Sequence, residues 1–387
     1  MKTIIVGGVI ANKYLNGGAV WTRLNWLLGL RELGYRVYFI EQIEPRHCVD
    51  RQGQPTDFES SANLDFFKKI MEKFGMAKSY SLLLGQGERS CGMSLAEISS
   101  LASEADVVVN ITGHLRLPCI LESGARKIYV DLDPGYTQYW RQMGLLDSSF
   151  DRHDLYFTVG ELIGSAQCAI PTGNIKWHAT RQPVVLKLWP VTETGDPSRF
   201  TSVASWRDNY GTLEVDGKKF GLKVHEFRKF IELPKHVSQV CEVALDIHPA
   251  EVTDIELLRF NGWRIRDSLT VAPDPETFRS YVQDSGAEFS VAKGIYSQTR
   301  SGWFSDRTVR YLASGKPAVV QDTGFTSTYP VGEGLFAFTT FEEAVMAAKH
   351  IERDYRDHCT AARRLAESWF DSNRVLDELL AKAGVSG

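Results

Sequence analysis

The sequence predicts an α/β protein of two domains, each a parallel sheet covered by helices, facing one another across a cleft. Three observations predict it. A strand–helix–strand pattern opens the chain, apolar strands alternate with helical segments on both sides of an aperiodic stretch near residue 190, and a capped helix close to the C-terminal end lies between two buried strands. With 387 residues, 43% of them hydrophobic, the chain can bury two ordinary cores.

Taken in order, Thr3 to Val6 and Val37 to Ile40 read as strands, and between them Val20, Trp21, Leu24, Leu27, Leu28 and Leu33 recur at helical spacing up to Gly34. The loop before this helix holds Gly17-Gly18, where backbone can approach a ligand closely, although a plain turn explains the pair equally well. Gly7-Gly8 lacks the further spacing of a dinucleotide fingerprint. Residues 46 to 63 read as a polar loop and Leu64 to Phe74 as a helix. Asp106 to Ile111, Lys127 to Val130 and Leu155 to Val159 are strands apolar enough to be covered on both faces, and they end in His114, Asp133 and Glu161 respectively.

Pro183, Pro190, Gly195 and Pro197 mark a connection, so the first domain is set at 1–182, the linker at 183–197 and the second domain at 198–366. Strands at Phe200 to Ser205, Val243 to Ile247 and Phe289 to Ala292 then alternate with helices at Val224 to Leu233, Val252 to Phe260 and Pro275 to Gln283. Phe341 to Ile351 and Arg353 to Lys382 read as helical, with a break near 371–373.

The capped helix is the best-marked element. Ser305 and Asp306 are N-cap types, Val309, Leu312 and Ala313 share a face, and Gly315 followed by Pro317 ends it. Its first N–H groups lack intrahelical partners and the macrodipole is positive there, so with Arg307 and Arg310 the helix start is a candidate diphosphate site. The plain alternative is an ordinary capped helix of a sheet. Asp322 and Thr323, after the next strand, are expected on the same edge, where ligands of such sheets gather.

A net charge of −4 gives no support for a general binder of nucleic acid or anionic membrane. Six scattered cysteines without a CxxC pair or zinc spacing read as reduced thiols of an intracellular protein. No apolar run approaches the roughly 20 residues of a membrane helix, and the N-terminal run is too short for a signal peptide. A cytoplasmic location is expected.

Two stretches resemble the GT-B glycosyltransferases. Met1 to Glu41, with its strand, Gly17-Gly18, amphipathic helix and second strand, resembles their opening, and Ser301 to Gly324, with the Tyr311-Leu312-Ala313-Ser314-Gly315-Lys316-Pro317 turn, resembles their sugar-nucleotide segment. The resemblance implies two Rossmann-like domains with the acceptor in the first and the donor in the second. It also implies a helix within 367–387 that crosses back, and no metal cofactor.

The donor implied is a UDP-, GDP- or dTDP-sugar held by Gly17, Gly18, Ser301, Gly302, Ser305, Asp306, Arg307, Asp322 and Thr323, with a small-molecule or glycan acceptor and no oligomeric state assigned. One departure stands out. Retaining members often carry two glutamates with seven residues between them, and here Gly302 and Arg310 fall at those positions, so the stereochemical outcome is left open.

Glycosyl transfer needs the leaving phosphate stabilised and, with inversion, a base for the acceptor hydroxyl. His114, Asp133 and Glu161 are the candidates, each having a loop or turn role as its plain alternative. A two-domain binding protein without transferase activity and a DNA-base glycosyltransferase are the competing readings.

Overall fold

A computed structural model describes residues 1–385 except 194 and 208–210. The first sheet has eight strands: β1 (Thr3–Gly7), β2 (Arg36–Ile43), β3 (Tyr80–Leu84), β4 (Arg89–Gly92), β5 (Val107–Ile111), β6 (Arg126–Asp131), β7 (Leu155–Thr158) and β8 (Trp177–Ala179). Their order is β4-β3-β2-β1-β5-β6-β7-β8, parallel except where β4 pairs antiparallel with β3. Near-continuous burial of β1 and β5, as TIIVG and VVVNI, is what a strand covered on both faces requires.

The second sheet comprises β9 (Arg199–Ser205), β12 (Val240–Asp246), β13 (Arg264–Asp267), β14 (Ala287–Ser290), β15 (Ala318–Gln321) and β16 (Leu335–Phe338), while β10 (Leu213–Val215) and β11 (Lys218–Phe220) form a separate hairpin. Its order β13-β12-β9-β14-β15-β16 is the doubly wound order of a dinucleotide-type sheet, with the switch point between β9 and β14. The expected alternation of elements is therefore present in both halves. The sequence reading does not name β3, β4, β8, β16 or the hairpin; β4, β8 and the hairpin strands are short, polar or at an edge, whereas β3 and β16 are buried apolar strands. The helix expected over Val224 to Leu233 is instead one α-helical turn at Lys223–Phe227 followed by 3₁₀ turns at Arg228–Phe230 and Leu233–Lys235.

The helix Gly17–Glu32 is buried on nearly all sides. Helix Ser372–Lys382 packs on it so closely that a β-carbon at Gly29 would stand 2.7 Å from Cβ of Ser372. The C-terminal helical segment thus returns to the first half of the chain, with its break at Phe370 and Asp371. On its other side the Gly17–Glu32 helix meets the second half. Gly17 N donates to Ala272 O at 2.8 Å, Trp21 Nε1 to Pro275 O at 2.6 Å, and Trp21 sits edge-on to Trp189 with centroids 5.0 Å apart. A second seam joins residues 160–169 to 299–303, with Leu162 N donating to Ser301 O and Ala169 N to Thr299 O.

Candidate active site

Between the two seams lies a cavity of about 810 Å³. Its wall is made where the C-terminal edges of both sheets face each other: residues after β1 and β5 on one side, and the ends of β9 and β12 with the segment after β13 on the other. Such edges are where ligands of doubly wound sheets bind.

The loop after β1 is fixed from beneath. The buried Glu41 carboxylate accepts from the backbone N–H groups of Ile10, Ala11 and Asn12 and from the Asn12 side chain, at 2.7 to 2.9 Å. Burial pushes its pKa up and those N–H groups pull against it. Held this way, the loop brings Lys13 to the cavity wall. Leu15 adopts φ +60 and Thr112, after β5, φ +57. Leu and the β-branched Thr rarely accept the left-handed region, and both line the cavity, so backbone strain is concentrated there.

Lys13, Arg23, His114 and Arg116 cluster on this wall. Burial lowers the pKa of Lys13, and Arg23 adds to the effect while Asp133 opposes it. The Lys13 ammonium has no hydrogen-bond or ion-pair partner among the described residues. His114 lines the cavity and its side chain is exposed there. Its pKa is driven down by desolvation and then by Arg23, Lys13 and Arg116, and the three cations alone dictate that direction, so the ring is neutral. Asp133 stands on the same wall and accepts from Tyr296 Oη at 3.0 Å. The loop that carries it is anchored by the buried Asp131, which accepts from Thr137, Gln138 and Thr158.

Helix Asp306–Ala313 has the expected limits: Ser305 caps it by accepting from Arg307 N, and Gly315 follows at φ +70. Its cations are occupied internally. Arg307 donates to Glu288 Oε1 at 2.5 Å, to Ser290 Oγ at 2.8 Å and to Val203 O, which stitches together β9 and β14 at the switch point. Glu288 is wholly buried and needs that cation. Arg310 bonds Asp306 Oδ2 at 2.7 Å, Thr22 Oγ1 at 2.9 Å and Gly18 O at 3.0 Å. Burial would raise the pKa of Asp306, but Arg310, the Thr22 hydroxyl, Arg307 and Arg23 outweigh it and the net shift is downward.

The structure therefore brings Gly18, His114, Asp133, Asp306 and Arg307 to one cavity and leaves seven of the anticipated residues off its wall. Gly17 opens the helix instead of preceding it, and a β-carbon there would overlap the Asp274 carbonyl and stand 2.9 Å from Pro275 N. Ser301 and Gly302 belong to the second seam, where Gly302 N donates to Thr323 O and a β-carbon on Gly302 would stand 2.9 Å from Leu162 N. Thr323 donates to Trp303 O, and Asp322 accepts from Gly324 N at 2.9 Å. Ser305 is consumed as a cap. Glu161 is engaged by Arg181 at 3.1 Å and by Tyr329 Oη. Burial raises its pKa in spite of Arg181.

Lys13, Arg23, Arg116 and Asp246 are cavity residues that pattern reading did not single out. Arg23 sits inside an apolar helical repeat, and only the unusual density of polar residues in Thr22-Arg23-Leu24-Asn25 hints at a second buried face.

No family model matches the chain, and no curated protein matches it in sequence. Solved structures do match in shape. The fold is that of the GT-B glycosyltransferases. An α-glucosyltransferase in complex with UDP-glucose and DNA containing an abasic site aligns with TM-score 0.60 at 12% identity over 99% of this chain and 98% of that one. Anabaena Alr3699/HepE in complex with UDP-glucose gives 0.58 at 13% over 99% and 100%. Sucrose-phosphate synthase from Thermosynechococcus elongatus gives 0.52 at 12% over 99% of each. At these identities the likeness is one of fold.

Proposed function

We propose that the chain is a glycosyltransferase that moves a sugar from a nucleoside diphosphate donor to a hydroxyl acceptor bound in the interdomain cavity. The observation that carries this reading is the convergence of Lys13, Arg23, neutral His114 and Asp133 on one cavity between the C-terminal edges of two doubly wound sheets. In this reading the nucleoside rests against Val203, Ala204, Ser205, Asp246 and Ser268. The diphosphate is drawn to Lys13 and Arg23, where an incoming anion offsets both the repulsion between the cations and their partial desolvation.

The bond from the anomeric carbon to the phosphate oxygen breaks with its electron pair going to the diphosphate, and the acceptor oxygen bonds the same carbon. The proton released by the acceptor goes to Asp133. His114 is a poor recipient in its cationic surroundings and serves as a neutral hydrogen-bonding partner of the donor sugar. Because side-chain cations provide the positive charge at the leaving group, transfer is expected to proceed unchanged in EDTA.

The acceptor is a small molecule or glycan precursor in the cytoplasm. The net charge of −4 speaks against nucleic acid, and a mobility-shift experiment with duplex DNA at physiological salt should show no complex. Isothermal titration with UDP, GDP and dTDP tests the core of the proposal, UDP first because the similar structures hold UDP or UDP-glucose. Folded protein that binds none of the three would sink it.

A further inference from the structure

The cavity is also bordered by Trp140, Leu145 and Leu146, from the end of the helix Tyr136–Gln142 and the turn that follows it. This end is built rigidly. Leu145 N donates to Trp140 O at 2.8 Å and Gly144 N to Arg141 O at 3.0 Å, with Gly144 at φ +69. That is the paired bonding of a Schellman cap, in which the residue after the glycine ordinarily packs on the side chain three positions inside the helix. Leu145 occupies that place relative to Trp140, yet it remains 67% exposed, and Met143 beside it is 42% exposed. A single exposed leucine needs no explanation, but here a rigid turn holds a tryptophan and adjacent leucines together at the opening of the cavity. The polar neighbours, Arg116 and Asp147, stand 3.9 Å apart. Asp147 is already committed, because it caps the next turn at Ser149 N and that bond holds its pKa down.

We propose that this lip is the acceptor's specificity subsite and that it selects hydroxyl compounds bearing an apolar group, aromatic or aliphatic, over free sugars. The proposal rests on the glycosyltransferase reading. The hydroxyl reaches Asp133 while the apolar group displaces water from Trp140 and Leu145, leaving Arg116 and Asp147 as a solvated rim.

Phenyl β-glucoside and methyl β-glucoside present the same hydroxyls and differ in the apolar group, so titrating both into the UDP-saturated protein isolates the lip. The phenyl compound should bind about tenfold more tightly or better, as burial of an aromatic ring on a leucine and a tryptophan implies. Leu145→Ser and Trp140→Ala should bring the ratio close to one, with UDP affinity and far-UV circular dichroism unchanged. Equal affinities for the two glucosides in the wild type overturn the proposal, and so does Leu145-dependent binding to phosphatidylcholine vesicles without any phenyl preference, which would make the lip a membrane contact. Absence of UDP binding in the accompanying titration overturns the transferase reading instead, a result distinct from the glucoside ratio.

Discussion

Replacing Gly17 with alanine separates the helix from the seam that it forms. Within an isolated helix the change is favourable by about 0.5–1 kcal/mol, because alanine loses less backbone entropy than glycine. In the folded chain the new methyl would overlap the Asp274 carbonyl, which is backbone and cannot step aside as a flexible side chain would. The seam must then shift. The contacts at stake are Gly17 N to Ala272 O at 2.8 Å, Trp21 Nε1 to Pro275 O at 2.6 Å and Arg310 Nη1 to Gly18 O at 3.0 Å. At about 1 kcal/mol for each neutral bond and about 2 for the charged one, less the helix gain, the net cost is about 2–4 kcal/mol.

Urea unfolding followed by tryptophan fluorescence reads this directly, since Trp21 and Trp189 both lie at the seam. Gly124→Ala is the matched control, because a methyl there meets nothing within 4 Å. Gly17→Ala protein as stable as the wild type would refute the reasoning and return Gly17 to the role of a ligand-facing loop residue.

Three further outcomes are expected. Lys13→Ala should weaken UDP binding by about 10- to 100-fold in calorimetry, the worth of a charge-assisted bond, with the melting temperature unchanged; equal affinity removes Lys13 from the site. Arg307→Met should destabilise the fold by about 3–5 kcal/mol by leaving the Glu288 carboxylate buried without its cation, and Glu288→Met in the same chain should restore most of the loss in thermal unfolding. His153 is held below its ordinary pKa by burial, against the pull of the Phe150 carbonyl. The unfolded chain therefore binds more protons below about pH 6.5, so the His153 contribution is complete above that value and is lost as pH falls through it; His153→Asn should flatten that part of the stability-against-pH curve.

Much of this architecture is legible in the pattern of residues. Continuous apolar runs such as Val107–Ile111 declare strands covered on both faces, and Ser305 with Gly315 brackets one helix to the residue. What periodicity does not carry is which charges meet. Glu288 and Arg307 lie 19 positions apart and pair only because β14 and the following helix fold back across the switch point. Thr22 and Asp306, 284 positions apart, meet only when the two halves close. The same blindness hid Lys13 and Arg23, whose place on the cavity wall depends on a carboxylate at Glu41 beneath the loop and on the packing of a whole helix between two sheets.

The closeness of Gly29 to Ser372 and Leu376 bears on how the chain matures as it is made. During synthesis the first sheet can assemble early, but the outer face of its Gly17–Glu32 helix stays uncovered until Ser372–Lys382 has left the ribosome, and its other face waits for Ala272 and Pro275. A nascent chain that stalls between the two halves would thus leave these faces of the helix uncovered, with Trp21 among the side chains laid bare.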